Sequence, residues 1–169
     1  KNEVNLFLSI LENIEKNSIQ KIVTMISARI EKINNVEVKK MVNKDNESYW
    51  FINGERRISW SKDVPSNNQI SKGKWWNSIN NKNLMLSLDD KVARNLGLNI
   101  GDSITFNIYG KELSGNIMNF RYVDYTDLNI NFAILFNPEY GSKIPHEFMS
   151  TVKFKDKDTV SISEVLKKL

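Results

Sequence analysis

The residue types able to do chemistry are few and scattered. His146 is the single histidine, set between Pro145 and Glu147. A Ser-His-Asp triad would need it, yet no G-x-S-x-G turn accompanies it, and a histidine-based metal site lacks a second ligand. Asp124 and Asp127 flank Tyr125, and Asp89 adjoins Asp90. Paired acids can carry out glycoside chemistry when held at a fixed separation. Helix capping explains Asp89-Asp90 more simply, and surface placement explains the other two. The glycines show no phosphate-loop spacing. There are no cysteines, which excludes disulfides, thiolate catalysis and cysteine-ligated zinc. The pattern therefore names no catalytic residue, no metal ligand and no cofactor.

Aromatic residues carry more signal. Of four tryptophans, Trp75 and Trp76 are adjacent, with Lys72, Lys74 and Arg57 near them in sequence. In an extended segment such neighbours point to opposite sides, one into a core and one outward. Aromatic and basic residues interleaved in this way can stack on bases or sit at a lipid interface. Packing between lobes is the plainer reading. Trp75, Trp76 and Tyr125 are thus the expected contact residues, toward a partner or between lobes.

Bulk composition sets the class. The 169 residues are 40% hydrophobic and 26% charged, enough for a core and unlike a disordered chain. The net charge of +4 is mixed along the chain, whereas nucleic-acid binding usually shows a clustered basic face, so no nucleic acid is expected. No run of ~18 apolar residues is present to span a bilayer. The chain starts without methionine and stops within a helical pattern at Lys167-Lys168-Leu169, as if cut from a longer protein.

The elements are organised around Ser87 to Phe120. Ser87 and Asp90 have capping-box spacing, and Leu88, Val92 and Leu96 form an apolar stripe closed by Gly97. After the Gly101-Asp102 turn, Ile104, Phe106 and Ile108 alternate with polar residues as a strand. Tyr109-Gly110-Lys111 reverses the chain into a second strand, about 112–122, where Gly115 suggests a bulge or a close approach.

Upstream, Asn5–Leu11 reads as a buried strand. Ile19, Ile22 and Val23 read as a helical face, Met25–Ile33 as a strand and Asn34-Asn35 as a turn. Tyr49–Ile52 and Arg57–Trp60 read as a hairpin around Asn53-Gly54. Downstream, 131–136 and 149–154 are strand-like, and Ser161 with Glu164 opens a last helix. The expected fold class is α+β: a discontinuous βαβ lobe from 1–45 and 147–169, and an inserted β-rich lobe, 46–146, carrying one helix.

Several segments, taken in order, resemble the large extracytoplasmic domain of MacB/FtsX-type ABC transporter permeases. The nearest subgroup is the permeases linked by name to lysophospholipase biosynthesis. The segments are NLFLSI, MISARIEKINN, RRISW, ISKGKWW, SLDDKVARNLGLNIGDSITFNIYGKEL, RYVDYTDLNINFAILFNP and IPHEFMSTVKF. The pattern departs at Asn35, where the family has a turn glycine, and at Tyr125, where it has a tryptophan.

The resemblance implies a porter-like βαβ lobe with a β-rich insertion and membrane helices outside this stretch. It also implies a cognate cytoplasmic ATPase, and an envelope partner protein or a lipid or lipoprotein substrate. The domain would stand on the extracytoplasmic side of the cytoplasmic membrane and catalyse nothing itself. The competing readings are a stand-alone extracytoplasmic hydrolase and a carbohydrate or cell-wall binding module.

Overall fold

The computed structural model describes residues 9, 19–41, 44–76, 83–126 and 130–152. The chain is α+β, mostly strands with a few short helices. It divides into two compact units, residues 1–23 with 148–169 and residues 24–147. In the first unit the described residues are the helical Ser9, the opening of β1 (Ile19–Ile33) and most of β9 (Glu147–Val152).

The second unit is a closed barrel of six strands. β1 pairs antiparallel with β3 (Glu55–Trp60), which pairs parallel with β8 (Ile134–Phe136). β8 then pairs antiparallel with β5 (Met85–Asp89), and β5 pairs parallel with β7 (Lys111–Val123). β7 pairs with β6 (Ser103–Ile108), and β6 returns to β1, both antiparallel. Two further strands lie outside the ring: β2 (Val36–Glu37) on β1 and β4 (Asn68–Gly73) on the far half of β7.

A six-stranded barrel is narrow enough for side chains to fill it. Ile26 and Ile30 of β1, Ile58 of β3, Leu86 and Leu88 of β5, and Ile104 of β6 are all buried in one core cluster. Phe106 and Phe136 meet edge to face within it, with ring centroids 5.3 Å apart. At Gly115, opposite Ile104 of β6, β7 lies against the side chains of Leu84 and Leu86. A Cβ there would lie 2.7 Å from Leu84 Cγ, so any larger residue forces Leu84 to shift.

One bulge reshapes the far half of β7. The β5–β7 register moves from Leu86↔Ile117 to Ser87↔Asn119, leaving Met118 as an extra residue. The inside-outside alternation flips there. Ile117 and Phe120 both join the core, while Asn119 and Arg121 take the opposite face and are buried as well.

The turns follow their sequence signals. Asn34 and Asn35 both take left-handed geometry between β1 and β2, and Tyr109 with Gly110 does the same between β6 and β7. Helix α2 (Asp90–Asn95; α1 and α3 are Tyr49–Ile52 and Pro138–Gly141) ends at Gly97, φ +65°. There the Gly97 and Leu98 amides donate to the Arg94 and Ala93 carbonyls, the pattern that satisfies a helix end.

Four local expectations are corrected. Residues 19–23 open strand β1 rather than forming a helix, and Ser9 is helical where a strand was expected across 5–11. Short apolar runs match either period, and strand pairing decides. Tyr49–Ile52 is one turn of helix, not a strand, with Phe51 fully buried. The cap of α2 is Asp89, not Ser87, which lies inside β5. The expected helix at 161–169 and the end of the strand at 149–154 lie outside the described residues.

Candidate functional site

The acidic candidates are engaged in structure. Asp89 Oδ1 accepts from the Lys91 and Val92 amides at 2.7 and 3.2 Å, capping α2, and Oδ2 accepts from the Tyr125 hydroxyl at 2.9 Å. Asp90 accepts from Ser71 Oγ at 2.7 Å and meets Arg94 at 3.0 Å. Asp124 Oδ1 accepts from the Thr126 amide and hydroxyl at 2.8 and 2.6 Å. The Thr126 hydrogen bonds hold this carboxyl below the usual range. Asp127 lies outside the described residues. His146 Nδ1 lies 2.8 Å from the Ile144 carbonyl, and its ring packs edge-on against Trp60 at 4.6 Å. No group of histidine, cysteine or acidic residues among those described could hold a metal ion.

Trp75 and Trp76 do not diverge. Gly73, at φ +82°, bends the chain just before them. Their rings lie 4.0 Å apart, and their N–H groups donate to the carbonyls of Lys62 and Ser61 at 2.8 and 2.9 Å. Trp76 is buried and Trp75 partly exposed. Tyr125 is 54% exposed, with its hydroxyl turned inward to Asp89. Burial pushes that hydroxyl well above the ordinary tyrosine range, and the Asp89 carboxylate adds to the effect.

Sequence reasoning missed what stands behind Tyr125. Arg121 is 1% exposed. Its Nε donates to Ser87 Oγ at 3.0 Å, Nη1 to Asn68 Oδ1 at 2.5 Å and Nη2 to the Phe132 carbonyl at 2.6 Å. Ser87 Oγ donates to Asn119 Oδ1 at 2.5 Å, and Asn119 Nδ2 reaches the Lys74 carbonyl at 3.2 Å. The network thus ties β5, β7, β4 and the segment before β8 together across the outer face of the barrel wall. Burial lowers the Arg121 guanidinium to about 10, and the nearby Tyr125 and Asp89 limit the fall. A lone arginine near the end of a strand gives no sign of burial in sequence.

Hollows open on residues 24–147, two of them beside residues of interest. A cleft of about 350 Å³ is lined by Trp50, Arg56, Arg57, Tyr125 and Phe132. A larger, more apolar one of about 610 Å³ is lined by Ile108, Leu113, Tyr140 and Ile144, with Lys111 and Lys143 at its margin. The lining of the larger one also includes Tyr109 and Glu112, and that of the smaller Glu55.

No family model matches the chain. It is 26% identical over 105 residues to an uncharacterized ABC transporter permease, YbbP, of Escherichia coli (strain K12). That match takes in 62% of this chain and 13% of YbbP. A crystal structure of a domain from a protein described as a permease, from Porphyromonas gingivalis, matches 95% of this chain and 67% of its own. Its TM-score is 0.43 at 10% identity, too low to carry an argument. The similarity to YbbP supports a permease-related domain.

Proposed function

We propose that this chain is the extracytoplasmic domain of an ABC transporter permease of the MacB/FtsX kind. The similarity to YbbP carries the reading, and the ordered family-like segments agree with it. The chain spans 13% of YbbP, so the membrane-crossing and nucleotide-linked parts are assigned elsewhere in the assembly. No helix among the described residues is long and apolar enough to cross a membrane. In this reading residues 1–45 with 147–169 form the porter-like βαβ lobe, and 46–146 form the inserted β-rich lobe. Trp75, Trp76 and Tyr125 serve as contact residues toward a partner or between lobes.

The mechanism is mechanical. A cytoplasmic ATPase moves the membrane helices, and the domain rides on them. An envelope protein, lipid or lipoprotein is shifted because it binds two arrangements of the domain with different affinity; equal affinity would shift nothing. The domain supplies a firm body for this, because every strand of the barrel is hydrogen-bonded on both sides for part of its length. A hydrolase reading finds less support, since Asp89, Asp90 and Asp124 are each taken up by structural hydrogen bonds.

The absence of cysteine makes sidedness testable. Tyr122→Cys, at a position 54% exposed, is placed in the full-length protein in intact cells. Native cysteines elsewhere in that protein are replaced first. A membrane-impermeant maleimide labels it without permeabilisation if the domain is extracytoplasmic. Labelling only after permeabilisation overturns the assignment.

A further inference from the structure

The barrel wall has one split seam. On one side, β3 pairs with β1 from Arg29↔Glu55 to Ile26↔Ile58. On the other it meets β8 only at Ser59↔Leu135 and Trp60↔Phe136. Before those pairs the two chains part, and the cleft of about 350 Å³ opens between Glu55–Arg57 and Asn131–Ile134. Among the described residues this edge of Glu55–Arg57 has no strand partner. It presents backbone groups of the kind that accept an added strand.

Among the described residues the cleft lining carries more positive than negative charge. The Arg56 guanidinium sits 5.4 Å from the Trp50 ring centroid, and Nη2 donates to the Asn53 carbonyl at 2.6 Å. Its Nε is buried with no hydrogen-bond partner among the described residues. Neither Arg56 nor Arg57 makes an ion pair among the described residues. Glu55 is the one acid on the lining, so the balance is positive. A planar guanidinium on the cleft lining suits a carboxylate, through the N–H groups other than the buried Nε. Trp50 and Tyr125, each about half exposed, add aromatic surface to the lining.

We propose that this cleft receives an extended, acidic segment of a partner protein, which lies beside the free edge of β3 and places a carboxylate on Arg56. The inference goes beyond the permease reading and does not rest on it, since the cleft is built wholly from residues 24–147.

The test is a titration of the isotopically labelled 169-residue chain, followed by nuclear magnetic resonance. The probes are the peptide acetyl-Glu-Val-Glu-Val-Glu-amide, its all-glutamine counterpart, and sodium acetate. The expected result is a saturable shift of the Glu55–Arg57 and Ala133–Ile134 amides together with the Arg56 Nε–H. Affinity falls about tenfold or more with the glutamine peptide and with Arg56→Gln, the scale of one lost charge-assisted pair. Arg56→Lys, which keeps the charge but not the fork, falls between. The spectrum away from the cleft shows that each variant is folded. The proposal is overturned if acetate reproduces the shifts, if the glutamine peptide binds equally, if shifts scatter over the surface lysines, or if none appear at millimolar peptide.

Discussion

Arg121→Met tests whether the buried polar network holds the barrel wall together. Methionine fills much of the arginine stem but donates nothing. The change strands three acceptors: Ser87 Oγ, Asn68 Oδ1 and the Phe132 carbonyl. Each buried acceptor left bare costs about 1–3 kcal/mol. Part of that is returned, because the folded state no longer desolvates a cation. The net expectation is a loss of about 3 kcal/mol, a large share of the roughly 5–15 kcal/mol typical of a domain. With a urea slope of about 1.5 kcal/mol/M, the midpoint falls by about 2 M. Urea unfolding read by fluorescence of the four tryptophans measures it. Adding Asn68→Leu removes one stranded acceptor, so the double variant loses less than the two singles together. A midpoint near wild type with unchanged slope refutes the reasoning, and so does strict additivity.

Three other perturbations follow from the same geometry. In the folded state the Tyr125 hydroxyl keeps its proton past pH ~10, where the unfolded chain has released its own, so that group lowers stability as pH rises further. Arg121, held at about 10, gives up its proton in the folded state first and raises stability over the same range. Tyr125→Phe removes the first effect and also one of the two groups that limit the fall of Arg121; both changes improve its stability relative to wild type from about pH 9 to 11, and a constant difference between the two proteins counts against this. Asp89→Ala removes the cap of α2 and lowers stability by about 0.5–2 kcal/mol in thermal melts, and an unchanged melt contradicts the assigned cap. Gly115→Ala drives a methyl into Leu84 and costs about 1–3 kcal/mol; Leu84→Ala in the same chain recovers part of it, and no recovery would point away from that clash.

The legible parts of the chain are those decided locally. Ile104, Phe106 and Ile108 alternate because one face of β6 meets the core, and the Tyr109-Gly110 turn fixes the register with β7. Gly97 closes α2 where the apolar stripe ends. Distant partners decide the rest. Tyr49–Ile52 has strand-forming residue types, yet Phe51 reaches the core from a helical turn. Arg121 reads as a surface residue until the Met118 bulge turns its side of β7 and the Phe132 carbonyl meets it from another segment. The cleft is a property of where β3 and β8 separate, which neither strand encodes alone. Tyr125 was named from its aromatic character, but its link to Asp89 was not foreseeable from spacing.

The parallel pairing of β3 with β8 has a consequence for biosynthesis. Ser59 leaves the ribosome long before Leu135 exists to meet it. Until then the early strands present their aliphatic sides to water and to one another. Topologies dominated by such distant pairings mature on the order of milliseconds to seconds. The newly made chain therefore spends its slowest interval half-closed, and that interval is when holding by a chaperone matters most.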